Sequence, residues 1–355
     1  MFKNIALGSV AAVVVLHVIT LVDLMDVFKK PSNFGAKDCY HVSGVKYGAE
    51  DIQIIKEKNV AIISSGFRPH FPSNLFLLNL DHLSSSAKVE PLEFDEDFDK
   101  STFHPHGIYV WKTNTGEYHV YVVNHHDDFE CVDVFNIDFE NKKAGHIKRI
   151  TDPLFKNMND LVVIDDFSFY VTNWLPGRNK LENLLKGLLM LPVGDVVFFD
   201  GKVGDIAVKS LFIPNGIDIA PDKETVFVGL SGSKAIATYS RGSDNTLHFI
   251  QQYPAGGVVD NLIYVPAEGD KSAELWFAGP FRMLESTLRV FNIDKHSKVS
   301  SFVSKFNVDA DGVLSDLSEI YINDGTFISG SSCATPFKDF LMIGSVDDRM
   351  IICKP

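Results

Sequence analysis

Two neighbouring stretches, His106-Gly107-Ile108-Tyr109-Val110 and His119-Val120-Tyr121-Val122-Val123, decide the fold. Each is a short apolar run rich in β-branched and aromatic residues, a polar residue opens the pair, and turn residues separate the runs. The same unit recurs outward in both directions. Upstream it reads Glu50-Asp51-Ile52-Gln53-Ile54 and then Asn59-Val60-Ala61-Ile62-Ile63. Downstream it reopens at Asn159-Asp160-Leu161-Val162-Val163, Asn215-Gly216-Ile217-Asp218-Ile219, Asp260-Asn261-Leu262-Ile263-Tyr264 and, more weakly, Ser332-Cys333-Ala334. A repeat of about 55 residues, taken six times, is the size of a four-stranded antiparallel blade, and six blades close into a propeller. The chain is therefore expected to be all-β, a six-bladed β-propeller over residues 26–355. Its innermost strands all begin at one end of a central channel, so the polar residues that open the units converge there.

Ahead of the first unit, Ile5 to Val22 is an uncharged run interrupted only by Ser9, His17 and Thr20. That length suffices to span a bilayer, and Asp23-Leu24-Met25-Asp26 offers no small-x-small cleavage site. Residues 1–25 read as a retained signal-anchor helix, which attaches the protein to a membrane. One helical pattern lies inside the propeller: Leu181, Leu184, Leu185, Leu188 and Leu189 fall on one face, expected to pack on the propeller top, with a membrane-surface role beside the anchor as the alternative.

The converging residues Glu50, Asp51, Asn159, Asp160, Asn215, Asp260 and Asn261 are all oxygen donors. Hard carboxylate and amide oxygens select Ca²⁺, which takes six to eight of them. The adjacent pairs Glu50-Asp51 and Asn159-Asp160 point neighbouring side chains to opposite sides of a strand and could serve two stacked ions. The net charge of −13 suits a cation and excludes nucleic acid as the main partner. His104-Pro105-His106 and His125-His126 flank the two strands of the second unit. Hairpin geometry brings His106 and His125 close enough for one to take a proton from water while the other orients it; the alternative is a four-histidine zinc site. No G-x-S-x-G elbow occurs, which disfavours a serine nucleophile.

None of the four cysteines forms a CxxC pair. A Cys39–Cys353 disulfide would lock the blade that closes the ring, contribute at most roughly 5 kcal/mol, and place the propeller in an oxidising compartment. Four buried thiols are the alternative.

With Gly48-Ala49-Glu50-Asp51-Ile52, Ile63-Ser64-Ser65-Gly66, Pro105-His106-Gly107-Ile108, Val122-Val123-Asn124-His125, Asn159-Asp160, Pro214-Asn215-Gly216-Ile217 and Val259-Asp260-Asn261, the sequence resembles the paraoxonase/arylesterase family from Cys39 to Cys353. The resemblance implies a six-bladed lactonase with two calcium ions. Glu50, Asn159, Asn215, Asp260 and Asn261 would bind the catalytic ion, and Asp51, Asp160 and the Ile108 carbonyl the structural one. His106 and His125 match the family's histidine dyad, and Cys39–Cys353 its disulfide. The substrate would be a small ester or lactone, with the propeller in the endoplasmic reticulum lumen or outside the cell. Nematode members of this kind are connected with assembly of degenerin-type sodium channels, so the resemblance also implies a second function, a non-catalytic membrane-channel partner. The chain departs from the family at Trp174-Leu175, where the family has an acidic residue and a histidine. It departs again at Gly279-Pro280, at Phe67-Arg68-Pro69-His70, which lacks a pocket tyrosine, and at Asp347-Asp348, where some members have an apolar wall.

Overall fold

The computed structural model describes residues 2–68, 70–81, 83–177, 179–269, 271–294 and 297–354, with no side chains described for residues 2–8 and 10. Among the described residues, six sheets follow one another along the chain, antiparallel except where Glu93–Phe94 pairs parallel with Lys143–Ile150. Their inner strands are Ile52–Ile55, Pro105–Lys112, Met158–Asp165, Pro214–Ile219, Leu262–Val265 and Ser331–Phe337. Each begins within two residues of a unit read from the sequence. The ring closes as expected. Lys37–His41 adds antiparallel to Ile351–Lys354, pairing Tyr40 with Ile352, and the Cys39–Cys353 disulfide ties the two strands. Cys131 and Cys333 remain buried thiols.

What holds the ring is apolar packing between adjacent blades. Six core clusters fill the six gaps between neighbours. Ile62, Leu75, Val122 and Phe135 bridge the first and second blades, and Phe227, Phe277 and Phe306 the fourth and fifth. Each fully buried side chain of this size contributes about 1.5–3 kcal/mol, so the ring is stabilised by sheet faces meeting. The alternating sequence pattern specifies those faces.

The inner strands share an irregularity that explains why polar residues open the units. In four blades one extra residue is inserted near the start of the inner strand. His106-Gly107, Asn159-Asp160, Asn215-Gly216 and Ser332-Cys333 each occupy the two positions that face a single residue on the neighbouring strand. Such bulges bend the strand and re-aim side chains, here at the same level of the channel in every copy. Gly107 and Gly216 allow the strands to approach at this level. A Cβ on Gly107 would sit 2.7 Å from the Asn159 carbonyl oxygen, and one on Gly216 2.6 Å from that of Asp260.

Among the described residues, three α-helices accompany the sheets: α1 (Phe2–Leu24), α2 (Lys180–Leu188) and α3 (Met283–Val290). Part of the anchor run lies outside the described side chains, and among the described residues no helix is long and apolar enough to cross a membrane. The chain leaving α1 is fastened to the rim of the propeller. Asp26 pairs with Lys234 at 2.8 Å and accepts the Met283 N–H at 3.2 Å, while Arg282 donates to the Asp26 and Val27 carbonyls. The leucines of α2 do not pack as expected. Leu181, Leu185 and Leu189 are exposed, and the residue α2 buries is Asn183, which donates to the Gly177 carbonyl at 2.6 Å. Leu184 and Leu188 are half-buried, so the apolar row turns only partly outward, and a polar residue makes the fully buried contact. Helix α3 was not expected, because it occupies only eight residues between strands.

Candidate active site at the channel mouth

The starts of the inner strands, bulged at Asn159-Asp160 and Asn215-Gly216, carry the expected oxygen donors. Glu50, Asp51, Asn159, Asp160, Asn215, Asp260 and Asn261 are all buried. Four of their oxygens, Glu50 Oε2, Asn159 Oδ1, Asn215 Oδ1 and Asn261 Oδ1, accept no hydrogen bond among the described residues. An unpaired buried polar atom costs on the order of 1–3 kcal/mol, so four together mark a place for a cation. Electrostatics agree. Burial first, then mutual repulsion, pushes Asp160 and Asp260 well above the usual carboxylate range and Asp51 to about 7. Burial likewise raises Glu50 to about 7. No three His, Cys, Asp or Glu side chains form a metal cluster among the described residues. The cluster here is half amide, and its donors suit a hard ion that takes neutral oxygens.

The second expected ligand set looks different. Asp51 Oδ2 accepts the Ile108 N–H at 3.0 Å and Asp160 Oδ2 accepts the Ile217 N–H at 2.9 Å. Asp218, not singled out from the sequence, does the same for Tyr264 at 2.6 Å, and burial raises its pKa to about 7. These three carboxylates link one inner strand to the next, and their oxygens already have partners.

The histidines form a directed chain. His106 Nδ1 lies 2.8 Å from His125 Nε2, and His125 Nδ1 lies 2.7 Å from Glu130 Oε2. With Glu130 ionised, its carboxylate can only accept, so His125 carries its proton on Nδ1 and presents a lone pair at Nε2. His106 must then donate from Nδ1, which leaves its Nε2 bare. That nitrogen faces Glu50 Oε1 at 3.4 Å. Burial holds His106 neutral, its pKa pushed down to about 3. A lone-pair nitrogen and a carboxylate oxygen face each other at the oxygen cluster, an arrangement that a proton or cation would relieve. Glu130 was missed in the sequence; its signal is a carboxylate five residues after His125, across the turn between two strands. The other two histidines do not join the dyad. His104 turns to Asp127 at 3.5 Å and His126 stacks on Phe129, so no four-histidine site forms.

Above the cluster opens a cleft of about 430 Å³. His106, His125, Asn159, Asn215 and Asp260 line it, as do the departures Phe67, Arg68, Trp174, Leu175, Pro280 and Asp347. Phe67 stacks on His106 with ring centroids 4.2 Å apart, covering the base from above.

A family model described as Arylesterase matches residues 32–354. The chain belongs to the arylesterase family. Among curated relatives, the serum paraoxonase/lactonase 3 of Homo sapiens is 27% identical over 90% of this chain and 89% of its own. The serum paraoxonase/arylesterase 1 of Homo sapiens is 26% identical over 89% and 88%. Among solved structures, the PQQ-bound aldose sugar dehydrogenase of Streptomyces coelicolor superposes with a TM-score of 0.54 over 92% of this chain and 98% of its own, at 11% identity. That likeness is one of fold. Within this arylesterase-family chain, the starts of the inner strands hold the oxygen donors and His106, the end of the neighbouring strand places His125, and the loops carry the residues that depart from the family pattern.

Proposed function

We propose that the chain is a calcium-dependent hydrolase of lactones and aryl esters, held at a membrane by its N-terminal helix with the propeller in the endoplasmic reticulum lumen or outside the cell. The observation that carries this reading is a buried group of donors with four unpartnered oxygens, of which Asn159 and Asn215 line one cleft with His106, while His106 Nε2 lies 3.4 Å from the Glu50 carboxylate of the same group. The names of the relatives, paraoxonase, lactonase and arylesterase, point to the same substrates. Glu50, Asn159, Asn215, Asp260 and Asn261 would hold the catalytic Ca²⁺. Bound there, calcium would supply Lewis acidity toward a carbonyl oxygen and the charge that develops on it. Asp51, Asp160 and the Ile108 carbonyl would hold the second ion.

The protein's own contribution is proton handling and exclusion of water. His106 Nε2 takes a proton from the attacking water. The positive charge that results is shared through His106 Nδ1 with His125 and offset by Glu130. Phe67, stacked on His106 and edge-on to His125, covers the imidazole pair with an apolar ring, where that hydrogen-bond chain holds its geometry. His106 then returns the proton to the leaving alkoxide.

The full-length protein in detergent should hydrolyse members of a lactone and phenyl-ester panel, lose the activity with chelator, and lose roughly 10²-fold or more of kcat on His106→Gln. No calcium-dependent turnover across the panel, with calcium still raising the melting temperature, would overturn the hydrolase reading and favour a membrane-anchored binding protein.

A further inference from the structure

Helix α3 forms part of the cleft wall, yet its start is finished by a distant part of the chain. Met283, Ser286, Thr287 and Val290 fall at helical spacing on one face and line the cleft. So short a helix is marginal by itself, and its first N–H groups need acceptors. The N-cap position is Arg282, whose side chain has donors only and makes no cap bond. The missing acceptors come from the segment that leaves α1. Asp26 Oδ2 accepts the Met283 N–H at 3.2 Å, and the Met25 carbonyl accepts the Leu284 N–H at 3.0 Å. A carboxylate at this end also complements the helix dipole.

The segment is itself fixed to the same corner. Arg282 turns back to donate to the Asp26 carbonyl at 3.2 Å and to the Val27 carbonyl at 3.0 Å. Lys29 donates to the Gly256 carbonyl at 2.5 Å, and its ammonium lies 3.7 Å from the Phe281 ring centroid. Lys234, on the other Asp26 oxygen at 2.8 Å, orients the carboxylate. Elsewhere α3 is held by different means. Glu285 accepts the Ser300 N–H at 2.7 Å and Arg289 Nε reaches Asp347 at 2.9 Å, but neither supplies an acceptor to the helix start. That part of the wall depends on a residue 257 positions away in sequence.

We propose that Asp26 is a positioning residue: as the cap of α3 it sets the wall that receives the non-reacting arm of a substrate, so the segment following the N-terminal helix is part of the substrate site. The proposal rests on the hydrolase reading for which molecules bind, while the cap itself does not depend on turnover. An alkyl arm long enough to fill the cleft of about 430 Å³ meets Met283 and Val290, and phenyl acetate occupies only part of that space.

Asp26 has a φ of 55°, which glycine and asparagine adopt readily, so Asp26→Gly removes the cap and Asp26→Asn retains an acceptor without new backbone strain. The full-length proteins in detergent, with calcium held constant, are compared by hydrogen exchange and by hydrolysis of δ-dodecalactone and phenyl acetate. In Asp26→Gly the amides of α3 should exchange roughly fivefold faster or more, with the inner strands unchanged. KM for δ-dodecalactone should rise by roughly threefold or more, while kcat for both substrates and KM for phenyl acetate stay near wild type. Asp26→Asn should keep most of the protection and most of the affinity. The corresponding lactam, which resists hydrolysis, should slow α3 exchange in the wild type, and Asp26→Gly should need more of it. If Asp26→Gly does not fold, Lys234→Met, which leaves the carboxylate unoriented, should shift α3 exchange and the long-chain KM in the same direction. Unchanged α3 exchange in the folded variant, a KM that moves equally for both substrates or for neither, or a lactam without effect on α3 in the wild type would overturn the role. An Asp26-dependent lactam effect without turnover of either substrate would instead overturn the hydrolase reading and leave the positioning role standing.

Discussion

At the scale of single residues, the direction of the histidine chain depends on Glu130. It is a buried carboxylate that accepts from His125 Nδ1 at 2.7 Å and from the Met158 N–H at 3.4 Å. Without its charge, either His125 tautomer is permitted, and half of the chain's directionality is lost. The imidazolium formed during reaction would also lack its counter-charge. Glu130→Gln keeps the shape and one acceptor, so it should lower kcat by roughly 10²-fold, the lower end of what a general base contributes, with KM and melting temperature near wild type. Steady-state kinetics alongside calorimetry separate the cases. A fall in melting temperature with kcat unchanged would assign Glu130 a purely structural part.

At the scale of elements, the second blade carries both histidines and is braced from behind. Asp133, fully buried on the strand Cys131–Asp138, accepts from Arg149 at 2.8 and 3.0 Å, lies 3.0 Å from His146 Nε2, and accepts from Asn124 at 2.8 Å. Asn124 in turn accepts the His104 N–H, and it precedes His125. Burial would raise the Asp133 carboxyl, but bonds from His146 and Arg149 outweigh it and lower its pKa below the usual value. A depressed folded pKa gives stability that is present above the unfolded pKa near 3.9 and is lost as pH falls through the folded value. Urea unfolding of the wild type should therefore weaken below about pH 4, and Asp133→Asn should flatten that slope while costing about 3 kcal/mol at neutral pH, since it strands Arg149. An unchanged pH profile would remove Asp133 from this role. The blades were legible in the sequence because each opens with one or two polar residues before an apolar run, and in four of them a bulge turns that local pattern into geometry. His106 and His125 were legible for the same reason, being joined by one hairpin. Arg68 and Asp347 were visible only as departures from a family pattern. Their contact spans 279 residues and needs the ring to close first, and no local period encodes it. The inward side of α2 was misread because leucine spacing defines an apolar face without saying whether the propeller or the surroundings will meet it.

At the scale of the whole molecule, the seam between the sixth and first blades is held in two ways. The Cys39–Cys353 disulfide joins the closing strands at the blade's outer side. At the channel, Asn261 Nδ2 donates to the Glu50 carbonyl at 3.0 Å and to Glu50 Oε1 at 2.9 Å, and Ser332 Oγ donates to the Glu50 carbonyl at 2.7 Å. A calcium ion on Glu50, Asn159, Asn215, Asp260 and Asn261 would add a second closure, because those ligands come from the first, third, fourth and fifth blades. Either link alone keeps the ends of a ring together, so their losses should not add. Removal of calcium should lower stability by the binding term RT ln(1 + [L]/Kd), and Cys39→Ser by up to roughly 5 kcal/mol. Cys39→Ser with chelator should lose more than the sum of the two, by at least about 0.5 kcal/mol, because the seam then rests on hydrogen bonds and packing alone. A double cycle of urea midpoints, wild type and Cys39→Ser with and without chelator, measures this coupling. Strict additivity would show that the ion and the disulfide stabilise separate parts of the ring, and no chelator effect in either protein would remove calcium from the channel.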